Sequence, residues 1–173
     1  TGTVRWEVPL ASPRGINDVE RLVELVGRVS RVGDSVCVRA FQASVGCVNV
    51  VRDRANVVWS LQASGSEGVH GDSEAIYGTE SNGHVIAWRR DDGTRLWSSD
   101  RLRLRKLTAP LVLGRSVVLG DESGWIHFLS RADGAPLNRV MTDSSGMVAA
   151  PVVAADTLVV VTRSGGVYGF RPD

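Results

Sequence analysis

The hexapeptide Gly83-His84-Val85-Ile86-Ala87-Trp88 decides the fold, because its pattern returns at nearly constant intervals along the chain. It recurs as Gly124-Trp125-Ile126-His127-Phe128-Leu129 and as Gly165-Gly166-Val167-Tyr168-Gly169-Phe170, with a weaker copy at Gly46-Cys47-Val48-Asn49-Val50-Val51. The leading glycines are separated by 37, 41 and 41 residues. Self-similarity with a period of about 40 residues is the signature of the four-stranded blades of a β-propeller.

Other landmarks keep the same phase as the hexapeptide. The pairs Asp92-Gly93 and Asp133-Gly134 follow two of the copies at equal distances, and Asp-Gly is typical of a hairpin turn. Trp97 follows the first of these turns, on a strand where a large ring can fill the wedge between diverging blades. The sequence therefore predicts an all-β fold, a β-propeller of four-stranded antiparallel blades, with about four blades present as half of an eight-bladed ring.

The repeat also predicts how the domain is divided. We expect residues 1–173 to form one partial propeller domain, made of the outer strand of a preceding blade (1–8), a long interblade loop (9–25), three blades (26–62, 72–100, 107–141) and a last incomplete blade (147–171). A half-ring leaves sheet edges and blade faces uncovered, which favours association. We therefore expect the chain to need its other half, or a second copy in a pairing of half-rings.

Composition and charge are those of a folded protein without a strong global field. The chain is 43% hydrophobic and 23% charged, with a net charge of +1. One basic stretch, Arg101-Leu102-Arg103-Leu104-Arg105-Lys106-Leu107, alternates with period 2 and predicts an extended segment with one basic face and one buried leucine face. No set of aromatic residues accompanies it, so we expect no nucleic-acid partner.

The two cysteines, Cys37 and Cys47, fall on two neighbouring strands of one predicted hairpin. With the turn placed near residues 42–45, they are offset along the ladder by about five residues, or roughly 17 Å at the rise of a β-strand. A disulfide needs Cα atoms within about 7 Å of each other. The sequence therefore predicts two separate thiols.

No catalytic chemistry is evident in the sequence. His70, His84 and His127 fall on different blades, and none has a second histidine or a cysteine at metal-ligand spacing. The serine-rich stretches lack the strand–turn–helix context of a nucleophile elbow. We expect no catalytic residues, no metal site and no cofactor, and hence a protein that is not an enzyme.

Several stretches resemble a known family. The tails Gly93-Thr94-Arg95-Leu96-Trp97 and Gly2-Thr3-Val4-Arg5-Trp6 resemble the repeat of pyrroloquinoline-quinone dehydrogenases and their non-enzymatic relatives. Among these, the whole chain resembles the C-terminal half of the BamB-type propeller lipoproteins of the outer-membrane β-barrel assembly machinery. The stretches that carry this match are Asp18-Val19-Glu20-Arg21-Leu22, Leu107-Thr108-Ala109-Pro110-Leu111-Val112-Leu113, Gly120-Asp121-Glu122-Ser123-Gly124-Trp125-Ile126-His127 and Asp143-Ser144-Ser145-Gly146.

The resemblance implies a non-catalytic scaffold that binds the periplasmic domains of the barrel-inserting subunit and assists the insertion of outer-membrane proteins. It implies a location at the periplasmic face of the outer membrane, with membrane attachment only through an N-terminal lipid anchor outside this chain. It places Glu20, Arg21 and Glu24 on the partner-binding surface, although Val26 stands where the family has a second acidic residue. The alternatives are a fragment of a quinone-dependent dehydrogenase propeller, with a chromophore and calcium, and a generic propeller interaction hub.

Overall fold

The computed structural model describes residues 2–11 and 24–171, and within these residues all regular structure is β-strand. The first blade contains β1 (Leu25–Val32), β2 (Ser35–Ala40), β3 (Ser44–Val51) and β4 (Arg54–Gln62). The second blade contains β5 (His70–Gly71), β6 (Ala75–Thr79), β7 (Val85–Arg89) and β8 (Arg95–Ser99). The third contains β9 (Leu111–Leu113), β10 (Ser116–Gly120), β11 (Trp125–Ser130) and β12 (Pro136–Met141). The fourth contains β13 (Val152–Ala154), β14 (Thr157–Val161) and β15 (Val167–Phe170).

Every blade is an antiparallel meander whose strands pair in chain order. The first three sheets have four strands and the fourth has three. The first strands of successive blades lie against each other, β1 beside β5 and β5 beside β9, so these strands form the inner edge of the arrangement. The predicted all-β propeller of four-stranded antiparallel blades is confirmed.

The hydrophobic core lies between the blades, because each sheet buries apolar side chains against the neighbouring sheets. Three clusters fill the three interfaces. The first joins the first two blades (Val45, Trp59, Ile76, Trp88), the second joins the middle two (Tyr77, Trp97, Leu119, Leu129), and the third joins the last two (Ile126, Met147, Leu158, Val160).

A tryptophan on the outer strand of one blade is bonded to the hairpin turn of the next blade. The Nε1–H of Trp59 on β4 donates to the carbonyl of Arg90, at 2.7 Å. Gly93 lies under the indole ring, where an added Cβ would come within 2.6 Å of the ring and where φ is +74°. The predicted Asp-Gly turn is therefore confirmed, and glycine is required there by both space and backbone conformation.

The same contact recurs one blade further along the chain. The Nε1–H of Trp97 on β8 donates to the carbonyl of Arg131 at 2.8 Å, and Gly134 lies under its ring. The corresponding position on β12 is Asn138, which is exposed. We call this hydrogen bond from an outer-strand indole to the next blade's hairpin the tryptophan lock. It joins the first blade to the second and the second to the third.

The prediction of two separate thiols is wrong, because Cys37 and Cys47 form a disulfide with a Cα–Cα distance of 4.0 Å. The hairpin register pairs Ala40 with Ser44, so the turn is formed by residues 41–43 and the two cysteines face each other directly across β2 and β3. The prediction placed the hairpin turn slightly too late in the chain and overestimated the offset between the two cysteines. It therefore put them too far apart along the ladder. Directly opposed residues on antiparallel strands have the Cα separation that a disulfide requires.

The basic stretch at 101–107 does not have the predicted extended conformation. Residues 101–104 form turns, with the amide of Arg103 donating to the carbonyl of Asp100 at 3.0 Å and that of Arg105 donating to Leu102 at 3.1 Å. Leu102 is buried, whereas Leu104 is exposed, so the leucines do not share one face. The prediction was wrong because the chain turns at residues 101–104, and the turns direct the side chain of Leu104 outward where an extended strand would bury it.

Residues 2–11 run along the first blade without forming a strand. Arg5 lies 3.4 Å from Asp53 at one end of the blade, and the carbonyl of Leu10 accepts a hydrogen bond from Ser60 toward the other end. The segment therefore runs in the same direction as β4, as the outer strand of a preceding blade would. The assignment of 1–8 to such a strand, of 9–25 to a loop, and the other domain boundaries stay predictions.

Candidate functional site

The connections between strands divide the propeller into two faces of different character. The turns 41–43, 80–84, 121–124 and 162–166 lie on the same face as the connections between blades, 63–69, 100–110 and 142–151. We call this the connector face. Short hairpin turns such as 33–34, 72–74 and 114–115 form the opposite face. The connector face carries the longer and more varied loops, which is where binding residues concentrate in scaffold folds.

A cavity of about 540 Å³ opens on the connector face, where all four blades contribute to its wall. Its lining combines acidic, basic and uncharged polar groups with a few apolar side chains. The charged residues among them are Glu67, Glu80, Arg105, Lys106, Glu122 and Arg163. Both signs of charge are present in equal number, so the cavity suits a polar protein surface better than an apolar ligand.

Glu80 is fixed in this wall by an ion pair between the first and second blades. Both terminal nitrogens of Arg39 donate to its Oε1 at 3.0 Å, and the hydroxyl of Ser64 donates to Oε2 at 2.8 Å. Burial lowers the pKa of Arg39, against the opposing charge of Glu80. Because Arg39 is completely buried in the middle of the propeller, Glu80 is its essential counter-ion.

Asp121 is the corresponding buried carboxylate of the third blade. Its Oδ2 accepts from Arg105 at 2.6 Å and from Nε2 of His127 at 2.9 Å, and its Oδ1 accepts from the amides of Ser123 and Trp125. Burial opposes ionisation, but these hydrogen bonds outweigh it and lower the pKa of Asp121. Burial also lowers the pKa of His127, which favours the neutral imidazole, and its Nε2–H donates a hydrogen bond to the carboxylate of Asp121. Arg105 is thereby held at the rim of the cavity.

Glu67 adds a carboxyl group of a different kind to the wall. Burial raises its pKa, against a backbone hydrogen bond from Ala109 and the charge of Arg39. Its side chain is therefore easier to neutralise than that of an exposed glutamate. Glu67 and Glu80 of the cavity wall and the buried Asp121 are thus held by three different surroundings.

Of the predicted partner-binding residues, the structure describes Glu24 and not Glu20 or Arg21, which lie outside the described residues. Glu24 is exposed, and its carbonyl accepts a hydrogen bond from the amide of Phe41 at 2.7 Å. Phe41 precedes Gln42, which lines the cavity. Glu24 therefore stands on the connector face beside the cavity, at the point where the chain enters β1. The role of all three residues stays a prediction.

Sequence analysis missed the residues of the cavity wall. Arg39 is the one charged residue in the apolar strand Ser35–Ala40, and a lone cation in such a run is a signal for a buried ion pair. Nothing in the sequence indicated Glu80 as its partner, because the two residues lie on different blades. Asp121 and Glu122 belong to a stretch that carries the family resemblance, but nothing in the sequence marks either as part of a site.

The described part of the chain offers no other obvious chemistry. Within it, no group of three or more histidine, cysteine, aspartate and glutamate side chains is placed to hold a metal ion. The structure shows no helix in the described ranges that is suited to crossing a membrane.

Comparisons with known proteins place the chain in one family. A family model described as outer membrane protein assembly factor BamB matches residues 1–99. The BamB of Burkholderia pseudomallei is 41% identical over 172 residues, covering 99% of this chain and 45% of the relative. That of Bordetella pertussis is 34% identical over 171 residues, covering 99% and 44%. The chain thus spans somewhat less than half the length of the curated relatives that it matches.

Solved structures share the fold at lower identity. The crystal structure of BamB from Moraxella catarrhalis superposes with a TM-score of 0.83 at 20% identity, over 94% of this chain and 47% of that one. The computationally designed Ika4 protein gives 0.71 at 16% identity, over 96% and 99%. A quinohemoprotein alcohol dehydrogenase from Comamonas testosteroni gives 0.67 at 18% identity, over 88% and 30%. These likenesses show the propeller fold alone, whereas the sequence matches confirm the resemblance noted above: the chain belongs to the family of the outer membrane protein assembly factor BamB.

Proposed function

We propose that this chain is a non-catalytic protein-binding scaffold in the assembly of outer-membrane proteins, and that it binds the periplasmic domains of the barrel-inserting subunit. Membership of the BamB family supports the general role. The position of Glu24 beside a mixed-charge cavity supports the connector face as the binding surface.

The chemistry of this face supports a protein partner. Its fixed charges are held by buried partners, as Glu80 is by Arg39 and Arg105 is by Asp121. Charges fixed in this way lose little conformational entropy when a partner binds, so they favour specific recognition. Glu24 adds a charge beside the cavity, and the family resemblance assigns Glu20 and Arg21 to the same partner-binding surface.

We also propose that the full-length protein works at the periplasmic face of the outer membrane, held by an N-terminal lipid. The Cys37–Cys47 disulfide supports a compartment outside the cytoplasm, because structural disulfides persist in oxidising surroundings such as the periplasm. The direct check is fractionation of cells that express the full-length protein, followed by mass determination of its N-terminal residue.

The proposed contact is tested by measuring the affinity of the chain for the purified periplasmic domains of the barrel-inserting subunit. We expect Glu20→Arg and Arg21→Glu each to weaken binding by about fivefold to tenfold, equivalent to about 1 kcal/mol for a charge at the rim of an interface. Glu24→Arg should act in the same direction.

Glu74→Arg is the matched control, because Glu74 is an equally exposed glutamate on the opposite face. It should leave the affinity unchanged. If the Glu74 variant lost as much affinity as the rim variants, or if the rim variants bound like the wild type, the proposed surface would be wrong.

A further inference from the structure

The connection between the second and third blades presents an apolar side chain to solvent. Leu104 is 81% exposed, whereas its neighbours Leu102 and Leu107 are buried. Its backbone has a φ of +66°, which non-glycine residues adopt at a cost. The amide of Leu104 donates to the carbonyl of Asn82 at 2.9 Å, so the tip is tied to the body of the propeller. The leucine is therefore held outward by the fold.

Tight packing under this connection explains how its shape is fixed. Gly83, with a φ of +83°, lies so close that an added Cβ would come within 2.4 Å of the carbonyl of Leu102. The leading glycine of the repeat thus lets the connection lie directly on the β6–β7 turn. A rigid tip of this kind loses little entropy when it binds.

Cationic side chains surround the exposed leucine. Arg101, Arg103 and Lys106 are exposed, and none forms an ion pair with another described residue. Arg105 stands between them with its charge directed toward the buried Asp121. We call residues 101–106 the basic tip. Its free cations are available to an anionic partner.

A groove of about 460 Å³ continues from the basic tip along β11 and β12 of the third blade. It is lined by the cationic side chains of Arg101 and Arg139 and by the apolar side chains of Leu102 and Leu129. Arg105 also lines it, with its charge paired to the buried Asp121, and no carboxylate belongs to the lining. The guanidinium of Arg139 also lies 4.5 Å from the ring centre of Trp125. Cationic and apolar groups in one groove are complementary to an amphiphile with an anionic head.

We propose that the basic tip and this groove bind the surface of a bilayer that contains anionic phospholipid. Arg101, Arg103 and Lys106 pair with lipid phosphates, and Leu104 enters the boundary between head groups and acyl chains. Clustered basic residues next to an exposed apolar side chain are the usual features of interfacial membrane binding. The exposed leucine favours a lipid surface over an acidic protein, since an ionic contact alone would have no use for it.

This contact lies on the same connector face as the proposed scaffold surface, because Arg105 and Lys106 also line the cavity, and it adds to any attachment through a lipid anchor. The vesicle test below contains no protein partner, so its outcome does not depend on the proposed scaffold role. The contact would orient the connector face toward the membrane. Because three cations and one leucine give weak binding, the contact supplements a second attachment and does not replace one.

The test is flotation of the 173-residue chain with vesicles of phosphatidylcholine alone or of phosphatidylcholine mixed with phosphatidylglycerol. We expect binding to the mixed vesicles only, with loss at high salt because exposed charges are then screened. Leu104→Ser and the double change Arg101→Glu, Arg103→Glu should each reduce the bound fraction, the charge reversal by on the order of tenfold or more. Circular dichroism of each variant checks that the sheets are retained.

Two control variants separate the basic tip from other exposed groups. Arg115→Glu changes an exposed arginine on the opposite face, and Val51→Ser changes a valine that is 51% exposed at the end of β3. Both should bind mixed vesicles like the wild type. Equal binding to neutral and anionic vesicles, or an equal loss in the Val51 variant, would overturn the proposal. So would a chain that binds polyglutamate but neither kind of vesicle, since the tip would then recognise an acidic polypeptide.

Discussion

Arg39 and Glu80 show how one ion pair can join two blades and shape a surface. The guanidinium is completely buried and the carboxylate nearly so, so the pair cannot be weighed like an exposed salt bridge. Removal of one partner leaves an unpaired charge in a low-dielectric site, which costs more than the pair itself contributes.

We therefore expect Glu80→Ala to lower the free energy of unfolding by about 3 kcal/mol or more. The double variant Arg39→Met, Glu80→Leu should recover a large part of this loss, because it removes both charges together. Urea unfolding of the two variants and the wild type measures the difference. A double variant less stable than Glu80→Ala would show that the ion pair itself is the source of stability.

The Asp121–His127 pair predicts a pH dependence of stability. Burial lowers the pKa of His127 in the folded chain below its unfolded value of about 6.5, so the unfolded chain takes up a proton first as the pH falls. The contribution of His127 is present above about pH 6.5 and is lost below it. Asp121, whose folded pKa is lowered, adds a second loss only in stronger acid, as the pH falls below the ordinary range of a carboxyl group.

The urea midpoint should accordingly fall between about pH 7.5 and 5.5, and less steeply in His127→Gln than in the wild type. His70 supplies part of the remaining slope, because burial also lowers its pKa. His84→Gln is the control and should keep the slope of the wild type. Parallel curves for wild type and His127→Gln would contradict the assignment.

At the scale of residues, sequence and structure agree least. The sequence gives no sign that Asp121 is special beyond its place in the family match, yet it is buried and accepts hydrogen bonds from four described groups. Its partner Arg105 belongs to the preceding connection, whose path no local pattern specified. Long-range pairs of this kind depend on how the blades pack, which a repeat period does not encode.

At the scale of strands, the disulfide ties the two central strands of the first blade. Cys37 on β2 and Cys47 on β3 are both completely buried, and the covalent link fixes the register of this hairpin. In the chain-entropy model, a loop of this length contributes about 3 kcal/mol by restricting the unfolded state.

Reduction under denaturing conditions, followed by refolding in reductant, should therefore lower the free energy of unfolding by about 2–3 kcal/mol. The double variant Cys37→Ala, Cys47→Ala should show no response to reductant. The mass of the untreated chain should be lower than that of the reduced chain by two hydrogens. Two free thiols in the untreated chain would contradict the disulfide.

The tryptophan lock gives a prediction for the interfaces between strands. Trp97→Phe removes the hydrogen bond to Arg131 and leaves that partly buried carbonyl without its donor, which should cost about 1–3 kcal/mol. Trp6→Phe is the matched control, because Trp6 is 41% exposed and forms no such described bond. Thermal unfolding of both variants measures the difference, and equal destabilisation would show that the lock has no special weight.

The strands themselves were largely predictable from the repeat. Asp92-Gly93 and Asp133-Gly134 marked hairpins that the structure contains, because such turns require residues that tolerate a positive φ. Register was not predictable to one residue, as the cysteines show. The prediction of an extended segment at 101–107 was wrong as well, because alternating apolar residues are also compatible with successive turns.

At the scale of the whole molecule, the exposed surfaces at the two ends of the blade series are the main feature. Among residues 2–11 and 24–171, no strand pairs with the outer edge of β15, and Val152, Val153 and Val167 of the fourth blade are exposed. Leu25 and Val29 on β1 are exposed at the other end. Apolar faces of this kind favour association.

The 173-residue chain should therefore associate in solution, with pairing of two half-rings as the expected form. Light scattering coupled to gel filtration measures the mass, and Val167→Lys should shift it toward the monomer because a charge on an edge strand opposes pairing. The exposed Arg163→Lys is a neutral control. A monodisperse wild-type monomer would contradict this prediction.

The location of the site was only partly accessible to sequence reasoning. The family resemblance indicated the loop that ends at Glu24, and the structure places this residue on the connector face. The cavity was not foreseen, because its wall is assembled from four blades whose relative positions follow from packing. Surface sites that span several repeats are therefore the last feature that a repeat sequence reveals.

The tryptophan lock has a consequence for dividing the protein. The N–H of each of these indoles donates to a carbonyl of the following blade. A fragment that keeps this hydrogen bond must therefore contain both the sheet with the tryptophan and the hairpin of the next blade. A cut after residue 99 would expose the ring of Trp97 to water and remove its acceptor. A cut after residue 141 breaks no such hydrogen bond, because Asn138 stands at the corresponding position of the third blade. A split or circularly permuted form of this propeller should therefore have its junction just after residue 141, between the third and fourth blades.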